Sequence, residues 1–264
     1  MSERRFGEWI AIRRHGHVAE LVLDRPKAMN AVSTELGRGV TEATAALAAD
    51  RDVRAVVLTS TNDRAFCVGA DLKERNSFSD DDLRRQRPYA RACYTGVLEL
   101  PVPAIAAVQG FALGGGFELA LSCDLIVADG TAVVGLPEVS VGVIPGGGGT
   151  QLLPRRVGAA RAAELIFTAR RVEAAEAREL GLIDVLVDAG QARAEALALA
   201  GRIAANSPVG VRAAKRALRL GHGLDLRAGL EVEDAAWRTV AFSGDRAEGV
   251  AAFNEKRTPN WPGE

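Results

Sequence analysis

Residues 104–118 read Ala-Ile-Ala-Ala-Val-Gln-Gly-Phe-Ala-Leu-Gly-Gly-Gly-Phe-Glu, and the architecture is predicted outward from them. Ala104–Val108 is a short apolar run between a proline and a glycine, a pattern typical of a buried strand. The three glycines at 114–116 permit a tight turn whose backbone approaches a ligand closely. Glu118 to Cys123 is predicted to open a helix, so the turn would direct free N–H groups outward.

Those N–H groups and the positive end of the helix dipole predict a site for an anion, or for an oxygen that becomes negative during a reaction. Glu118 lies beside this turn. By itself, Glu118 is equally well interpreted as a helix-start glutamate placed for its favourable dipole interaction. A second turn of similar make-up, with Glu138 ahead of the glycine run Gly146–Gly149, favours the functional interpretation.

The composition is that of an ordinary soluble globular protein. The 264 residues are 48% hydrophobic and 25% charged. With 33 basic and 34 acidic residues the net charge is −1, which gives no electrostatic basis for nucleic-acid binding. The N-terminus has no apolar core of the length a secretory signal requires, and no later stretch approaches a membrane span. We therefore expect a cytoplasmic protein with no membrane or nucleic-acid partner.

Cysteine and histidine usage argues against disulfides and metal sites. Cys67, Cys93 and Cys123 are odd in number and far apart, which predicts reduced thiols in or near the core. His15-Gly16-His17 is the one closely spaced histidine group, and it falls where a hairpin turn is expected. No metal is predicted.

The order of predicted elements indicates an α/β protein. Residues 8–23 alternate around Gly16 as a hairpin, and Ser33 is predicted to cap a helix that runs to about Ala49. A strand, a glycine turn and a helix then follow one another at 53–73 and again at 104–123. From Ala192 onward the spacing is helical. We divide the chain into an active-site core, 1–195, and a helical oligomerisation region, 196–264.

Several familiar site types are disfavoured by the motifs. The run Gly146–Gly149 lacks the Gly-Lys-Ser/Thr of a phosphate loop, and no dinucleotide-binding pattern occurs in a suitable context. No Gly-x-Ser-x-Gly elbow is present. What remains is Glu118 and Glu138, each beside a glycine-rich turn in apolar surroundings. Two such carboxylates suit general acid–base chemistry, and turn N–H groups suit an oxyanion, so proton transfer next to a carbonyl is predicted. From residue types alone, the alternative is that Glu118 and Glu138 are surface glutamates at helix starts with no catalytic role.

The linked motifs resemble the crotonase (enoyl-CoA hydratase/isomerase) superfamily over nearly the whole chain. They are Asp24-Arg25-Pro26-Lys27-Ala28-Met29-Asn30-Ala31, Ala65 to Lys73, Ala107 to Glu118, Pro137-Glu138, Ile144 to Gln151 and Phe253 to Arg257. The resemblance implies a crotonase-like α/β spiral of repeated ββα units with a helical C-terminal region. It also implies a homotrimer, or a hexamer built from two trimers.

The resemblance also implies the site residues. The backbone N–H groups of Ala70 and Gly115 would hold the thioester carbonyl of an acyl-CoA substrate. Glu118 and Glu138 would be catalytic, adding water across the C2–C3 double bond of a trans-2-enoyl-CoA. No cofactor is implied. Coenzyme A would lie along the residues Lys27, Ala28, Asp71, Leu72, Lys73 and Lys256.

Two alternatives stay open. One is an enoyl-CoA isomerase, or a hydratase of a branched or unusual acyl-CoA, that shares the oxyanion hole. The other is a low-turnover acyl-CoA-binding or RNA-associated member, which the near-zero net charge and the presence of both glutamates disfavour. Phe117 is bulkier than the small residue common at that position of the family, which leaves the acyl-chain preference open.

Overall fold

A computed structural model describes residues 3–264, which form two β-sheets surrounded by helices. The strands are β1 Glu3–Phe6, β2 Ile10–His15, β3 Val18–Leu23, β4 Ala55–Ser60, β5 Ala65–Cys67, β6 Ala104–Val108, β7 Phe111–Leu113, β8 Leu125–Asp129, β9 Val133–Gly135, β10 Val172–Glu173 and β11 Val185–Val187. The helices are α1 Thr34–Ala49, α2 Leu72–Arg75, α3 Asp80–Leu98, α4 Gly115–Ser122, α5 Gly149–Val157, α6 Ala159–Thr168, α7 Ala174–Glu179, α8 Ala192–Ala204, α9 Pro208–Gly221, α10 Leu226–Ala241 and α11 Gly244–Glu255.

The larger sheet has the strand order β1-β2-β3-β4-β6-β8-β11. The hairpin β2–β3 is antiparallel, as predicted, and β3, β4, β6, β8 and β11 run parallel. Every residue of β3, β4 and β6 is buried, so these strands are apolar runs covered on both faces. The polar exceptions are Thr59 and Ser60 of β4 and Glu20 of β3, whose buried carboxylate is neutralised by Arg193 of α8 at 2.6 Å.

The smaller sheet has the order β10-β9-β7-β5 and reveals the repeat. Each of the pairs β4–β5, β6–β7 and β8–β9 places its first strand in the larger sheet and its second in the smaller one, and a helix follows. Successive units therefore advance in the same direction along both sheets. This arrangement confirms the predicted α/β architecture of repeated ββα units.

Helix α4 begins at Gly115, three residues earlier than the start predicted at Glu118. Glycine normally weakens a helix, which is why the sequence pattern assigned 114–116 to the turn alone. Tertiary packing overrides that propensity, since a Cβ atom on Gly116 would collide with the Cys67 carbonyl of β5. All eight residues of α4 are buried, so the helix crosses the interior between the two sheets.

The C-terminal helices divide into two groups by what they cover. Helix α8 packs on the larger sheet through Ala196, Ala200 and Ala204, so the predicted division at 195/196 falls inside a helix that covers the core. Helices α9, α10 and α11 pack mainly on one another. Lys215 joins α9 to the core, because its buried ammonium contacts Asp124 and the Val102 carbonyl, both at 2.8 Å.

Cys67, Cys93 and Cys123 are free and buried, as the sequence predicted. Burial raises the pKa of the Cys67 thiol to about 12, which suppresses the reactive thiolate. The described chain, 3–264, contains no cluster of three or more His, Cys, Asp or Glu side chains suited to a metal ion. Within the same residues, none of the helices is both long enough and apolar enough to cross a bilayer.

Candidate active site

The two glutamates singled out by the sequence reach the site from consecutive ββα units. Glu118 lies in the first turn of α4 and is 2% exposed. Glu138 opens the short 3-10 turn Glu138–Val141 that follows β9. A Cβ atom on Gly114 would lie 3.0 Å from the Glu138 Oε1 atom, so this carboxylate closes over the start of α4. The structure therefore brings both predicted catalytic side chains to one end of α4.

Glu118 is anchored by the second glycine-rich turn. Its Oε1 atom accepts the backbone N–H groups of Gly147 and Gly149, each at 2.7 Å. A Cβ atom on Gly149 would lie only 3.0 Å from that oxygen, so the close approach needs a glycine. The glycine run, which lacks the motif of a phosphate-binding loop, fixes one oxygen of a carboxylate. The other oxygen, Oε2, makes no hydrogen bond within the described chain and is left for a substrate or a water molecule.

Glu138 is held differently. Its Oε2 atom is buried and has no hydrogen-bond partner in residues 3–264. Burial raises the pKa of Glu138 to about 7, and the nearby negative charge of Glu118 acts in the same direction. A buried polar atom without a partner is uncommon in folded proteins and marks a place where a ligand completes the hydrogen bonding. Glu138 is thus suited to carry a transferable proton near neutral pH.

The pKa of Glu118 is also raised, because burial outweighs the backbone N–H groups that stabilise its charged form. These N–H groups belong to a different turn, whereas the one backbone N–H that lowers the pKa of Glu138 is its own. The pair is therefore unlike: Glu118 is anchored by backbone donors of another turn, whereas Glu138 has a buried oxygen, Oε2, without a partner in residues 3–264. Environments that separate two carboxyl groups in this way suit one group to act as base and the other as acid.

The predicted oxyanion donors lie on two neighbouring loops. Ala70 forms an isolated parallel bridge with Val32, in which the Gly69 carbonyl accepts the Val32 N–H at 2.7 Å. Since the C=O and N–H of one peptide unit point in opposite directions, the Ala70 N–H points away from Val32. Gly115 is the first residue of α4, so its N–H has no acceptor within the helix.

The approach of the two loops depends on Gly69, which has a φ of +87°. A Cβ atom there would lie 3.0 Å from the Gly115 nitrogen and 2.8 Å from the Leu113 carbonyl oxygen. Only a glycine fits both the conformation and the space. The predicted donors Ala70 and Gly115 are thereby brought side by side, next to the carboxylates. Such paired N–H groups suit an oxygen that gains negative charge.

Asp71 has structural contacts that the sequence did not reveal. Its carboxylate caps α2 by accepting the Lys73 N–H at 3.0 Å and pairs with Arg25 at 2.7 Å. Arg25 also donates to the Ala31 carbonyl at 2.9 Å. Asp71 therefore ties the loop of Ala70 to the segment that precedes α1.

The remaining predicted coenzyme A contacts lie on the surface near this loop, with one exception. Lys27 and Ala28 form the 3-10 turn Pro26–Ala28, and the Val68 N–H donates to the Met29 carbonyl, which places this turn beside β5 and α2. Leu72 and Lys73 are exposed at the start of α2. Lys256 instead ends α11, which packs on α9 and α10, so the structure does not bring Lys256 together with Lys27 and Lys73.

Two side chains of α3 that lie at the site were missed by the sequence analysis. Tyr94 of α3 lies between the two glycine-rich turns, since Cβ atoms on Gly115 or Gly147 would collide with its hydroxyl or its ring. Arg87 of the same helix donates to the Gly146 carbonyl at 2.8 Å, which steadies the turn that holds Glu118. Both lie in a charged helical stretch, and their spacing alone carries no sign of the site.

Comparison with known proteins identifies the family of this site. Residues 13–264 match the model of the family described as enoyl-CoA hydratase/isomerase. The mitochondrial enoyl-CoA hydratase domain-containing protein 2 of Bos taurus is 43% identical over 251 residues, covering 94% of this chain and 85% of the relative. Human mitochondrial methylglutaconyl-CoA hydratase is 41% identical, covering 94% of this chain and 74% of the relative.

The solved structures agree with the sequence match. A crystal structure of enoyl-CoA hydratase from Bacillus anthracis superimposes with a TM-score of 0.95 at 41% identity, covering 97% of this chain and 100% of that one. The fold, the order of the motifs and the extent of the match all point to the same conclusion. This chain is a member of the enoyl-CoA hydratase/isomerase family, within the crotonase superfamily.

Proposed function

We propose that this protein is an enoyl-CoA hydratase, a lyase that converts a trans-2-enoyl-CoA to a 3-hydroxyacyl-CoA. The observation that carries the proposal is the unlike pair of carboxylates: Glu118 is anchored by Gly147 and Gly149, and the buried Oε2 atom of Glu138 has no partner in residues 3–264. Hydration needs one group to accept a proton from water and another to supply one to carbon, and the two environments match these needs.

In the proposed reaction the N–H groups of Ala70 and Gly115 bind the thioester oxygen. Glu118 accepts a proton from a water molecule, whose oxygen forms a bond to C3. The C2–C3 π electrons move towards the carbonyl, so negative charge develops on the oxygen held by the two N–H groups. Glu138 then supplies a proton to C2 as the enolate collapses. The net change is the addition of one water, and the two carboxyl groups exchange protons with solvent before the next turnover.

The surface properties support further parts of the proposal. Lys27 and Lys73 are both exposed beside the site. We propose that they bind the phosphates of coenzyme A and that the reaction requires no cofactor.

Large apolar side chains on the C-terminal helices are exposed in the single chain, among them Leu226 at 80%, Phe242 at 90% and Phe253 at 83%. Such exposure is typical of an assembly surface, and we propose a cytoplasmic homotrimer or a hexamer of two trimers.

The presence of both glutamates also separates hydration from the two alternatives. A double-bond isomerase needs one group to move a proton between carbons, and it has no use for a second carboxylate that activates water. A low-turnover binding member would have no use for a partnerless carboxyl group with a pKa of about 7. The hydratase interpretation therefore uses more of the observed site than either alternative.

The test is to mix the purified protein with crotonyl-CoA and follow the loss of ultraviolet absorbance of the conjugated thioester, with mass spectrometry of the product. Hydration predicts a product heavier by one water molecule. Incubation with trans-3-hexenoyl-CoA serves as the test for isomerisation, in which conjugation appears without a change in mass. Saturable binding of both thioesters with neither change would show that the low-turnover alternative is right.

A further inference from the structure

A small pocket opens next to the predicted oxyanion donor Ala70. It lies between α1, α2 and α3 and is lined by Val32, Ala70, Arg75, Gln86, Tyr89 and Tyr94. A saturated acyl chain would be expected to meet an apolar wall, yet four of these six side chains carry hydrogen-bond donors and one of the four carries a positive charge. The lining therefore indicates a polar group on the occupant.

The Tyr94 hydroxyl lies beside the predicted oxyanion donor Gly115. It lies so close to Gly115 that a Cβ atom on that residue would collide with it. The ring packs against Gly147, which fixes its direction. The hydroxyl forms no hydrogen bond to any atom of residues 3–264, although Tyr94 as a residue is only 7% exposed. Burial raises the pKa of Tyr94 well above its usual value, so the group remains a donor.

Arg75, the last residue of α2, supplies the charge. Its neighbours Arg25, Arg84 and Arg85 each pair with an aspartate, at 2.7 Å in all three cases. The Arg75 guanidinium has no carboxylate partner within residues 3–264. Arg75 lines the same pocket as Ala70 and Tyr94, which places it on the site side of α2.

We propose that Arg75 and Tyr94 together bind a carboxylate on the acyl group, so that the preferred substrate is a trans-2-enoyl thioester with a second, terminal carboxylate. This inference rests on the proposed hydratase function and adds the substrate class. A guanidinium and a phenol both donate, and a carboxylate accepts from both. Arg75 also offsets the repulsion that Glu118 and Glu138 would exert on an anionic acyl group. An alkyl chain in the same place would leave both donors without acceptors.

The experiment compares trans-glutaconyl-CoA, which ends in a carboxylate, with crotonyl-CoA, which ends in a methyl group. The measured quantity is the ratio of their kcat/KM values, in which effects on coenzyme A binding and on Glu138 cancel. We expect wild type to prefer glutaconyl-CoA, and Arg75→Leu to lower the ratio about tenfold or more. Tyr94→Phe removes only the hydroxyl and is expected to lower the ratio as well, whereas Arg75→Lys retains part of the preference.

Arg84→Leu is the matched control, because Arg84 is a largely exposed arginine that pairs with Asp81 on the outer face of α3. It is expected to leave the ratio unchanged. Equal losses with both substrates in Arg75→Leu and Tyr94→Phe, or a wild-type preference for crotonyl-CoA, would overturn the carboxylate site while leaving hydration intact. A wild type inert with both thioesters would overturn the proposed function itself, and with it this inference.

Discussion

The Oε1 atom of Glu118 accepts the backbone N–H of Gly149 at 2.7 Å, which joins the first turn of α4 to the first residue of α5. The N-terminal ends of the two helices thus meet at one carboxylate oxygen. Helix dipoles and free N–H groups at both ends favour negative charge at this point. The anchoring fixes the direction of the other oxygen of Glu118. Glu138 differs in its hydrogen bonding, because its Oε2 atom has no partner in residues 3–264.

Glu138→Gln is expected to reduce kcat for enoyl-CoA hydration by about 100-fold or more, the usual effect of removing a general acid. The amide has nearly the shape of the carboxyl group but cannot supply the proton. The measurement is the rate of absorbance loss with crotonyl-CoA at saturation. Glu179→Gln, at the end of α7, is a matched control and should retain full activity. A Glu138→Gln protein with near wild-type kcat would contradict the assigned role.

Glu118→Gln is expected to lose a similar factor in kcat, about 100-fold or more, with little loss of stability. The amide oxygen of glutamine still accepts the N–H groups of Gly147 and Gly149, so the turn keeps its anchor. Glu118→Ala removes the acceptor as well and should lower the melting temperature in addition to the activity. If glutamine destabilised the fold as much as alanine, the role of Glu118 would be structural rather than chemical.

The activity is expected to fall as pH rises through about 7, because the pKa of Glu138 is raised to about 7 and its protonated form is the donor. The profile of kcat/KM against pH for wild type checks this. The residual kcat/KM of Glu138→Gln should not fall as pH rises through about 7. A wild-type profile that is flat across neutral pH would rule out Glu138 as the proton donor.

The pH dependence of the free energy of unfolding provides an independent test of the raised pKa of Glu138. Since the folded-state pKa of Glu138 is about 7 and the ordinary value is 4.5, the folded protein binds more protons than the unfolded one between these values. Stability therefore decreases as pH rises through that window. Glu138→Gln, which has no charge to bury, should become more stable relative to wild type between about pH 5 and about pH 8. Thermal unfolding of both proteins at each pH measures the difference.

Gly116→Ala is expected to destabilise the protein by about 1–3 kcal/mol or more, because the new methyl group would collide with the Cys67 carbonyl. Gly201→Ala is the matched control. Gly201 is an exposed glycine inside α8, and a Cβ atom there meets nothing within 4 Å. That change should stabilise the helix by about 0.5–1 kcal/mol. Urea unfolding of the two variants gives the comparison, and equal effects would show that α4 does not need the close contact.

Local patterns predicted a large part of the architecture. Alternation around Gly16 identified the hairpin β2–β3, and Ser33 caps α1 by accepting the Leu36 N–H, as expected. These features depend on periodicity and capping, which are properties of neighbouring residues. The start of α4 was predicted three residues late, because the packing that favours glycine at 116 comes from β5, about 50 positions earlier in the chain, and the packing at 115 comes from Tyr94 of α3.

The sequence by itself determined which residues were candidates: Glu118 and Glu138 each stand beside glycine-rich turns, and the linked motifs indicated the family. Only the tertiary structure decided how the two carboxylates differ, since Gly147 and Gly149 reach Glu118 across 29 and 31 residues, while the Oε2 atom of Glu138 is buried without a partner in residues 3–264. It alone placed Tyr94 and Arg75 at the site, and Lys215 against Asp124. The physical reason is that hydrogen bonding and burial depend on which distant segments the fold brings into contact, and local propensity carries no record of those partners.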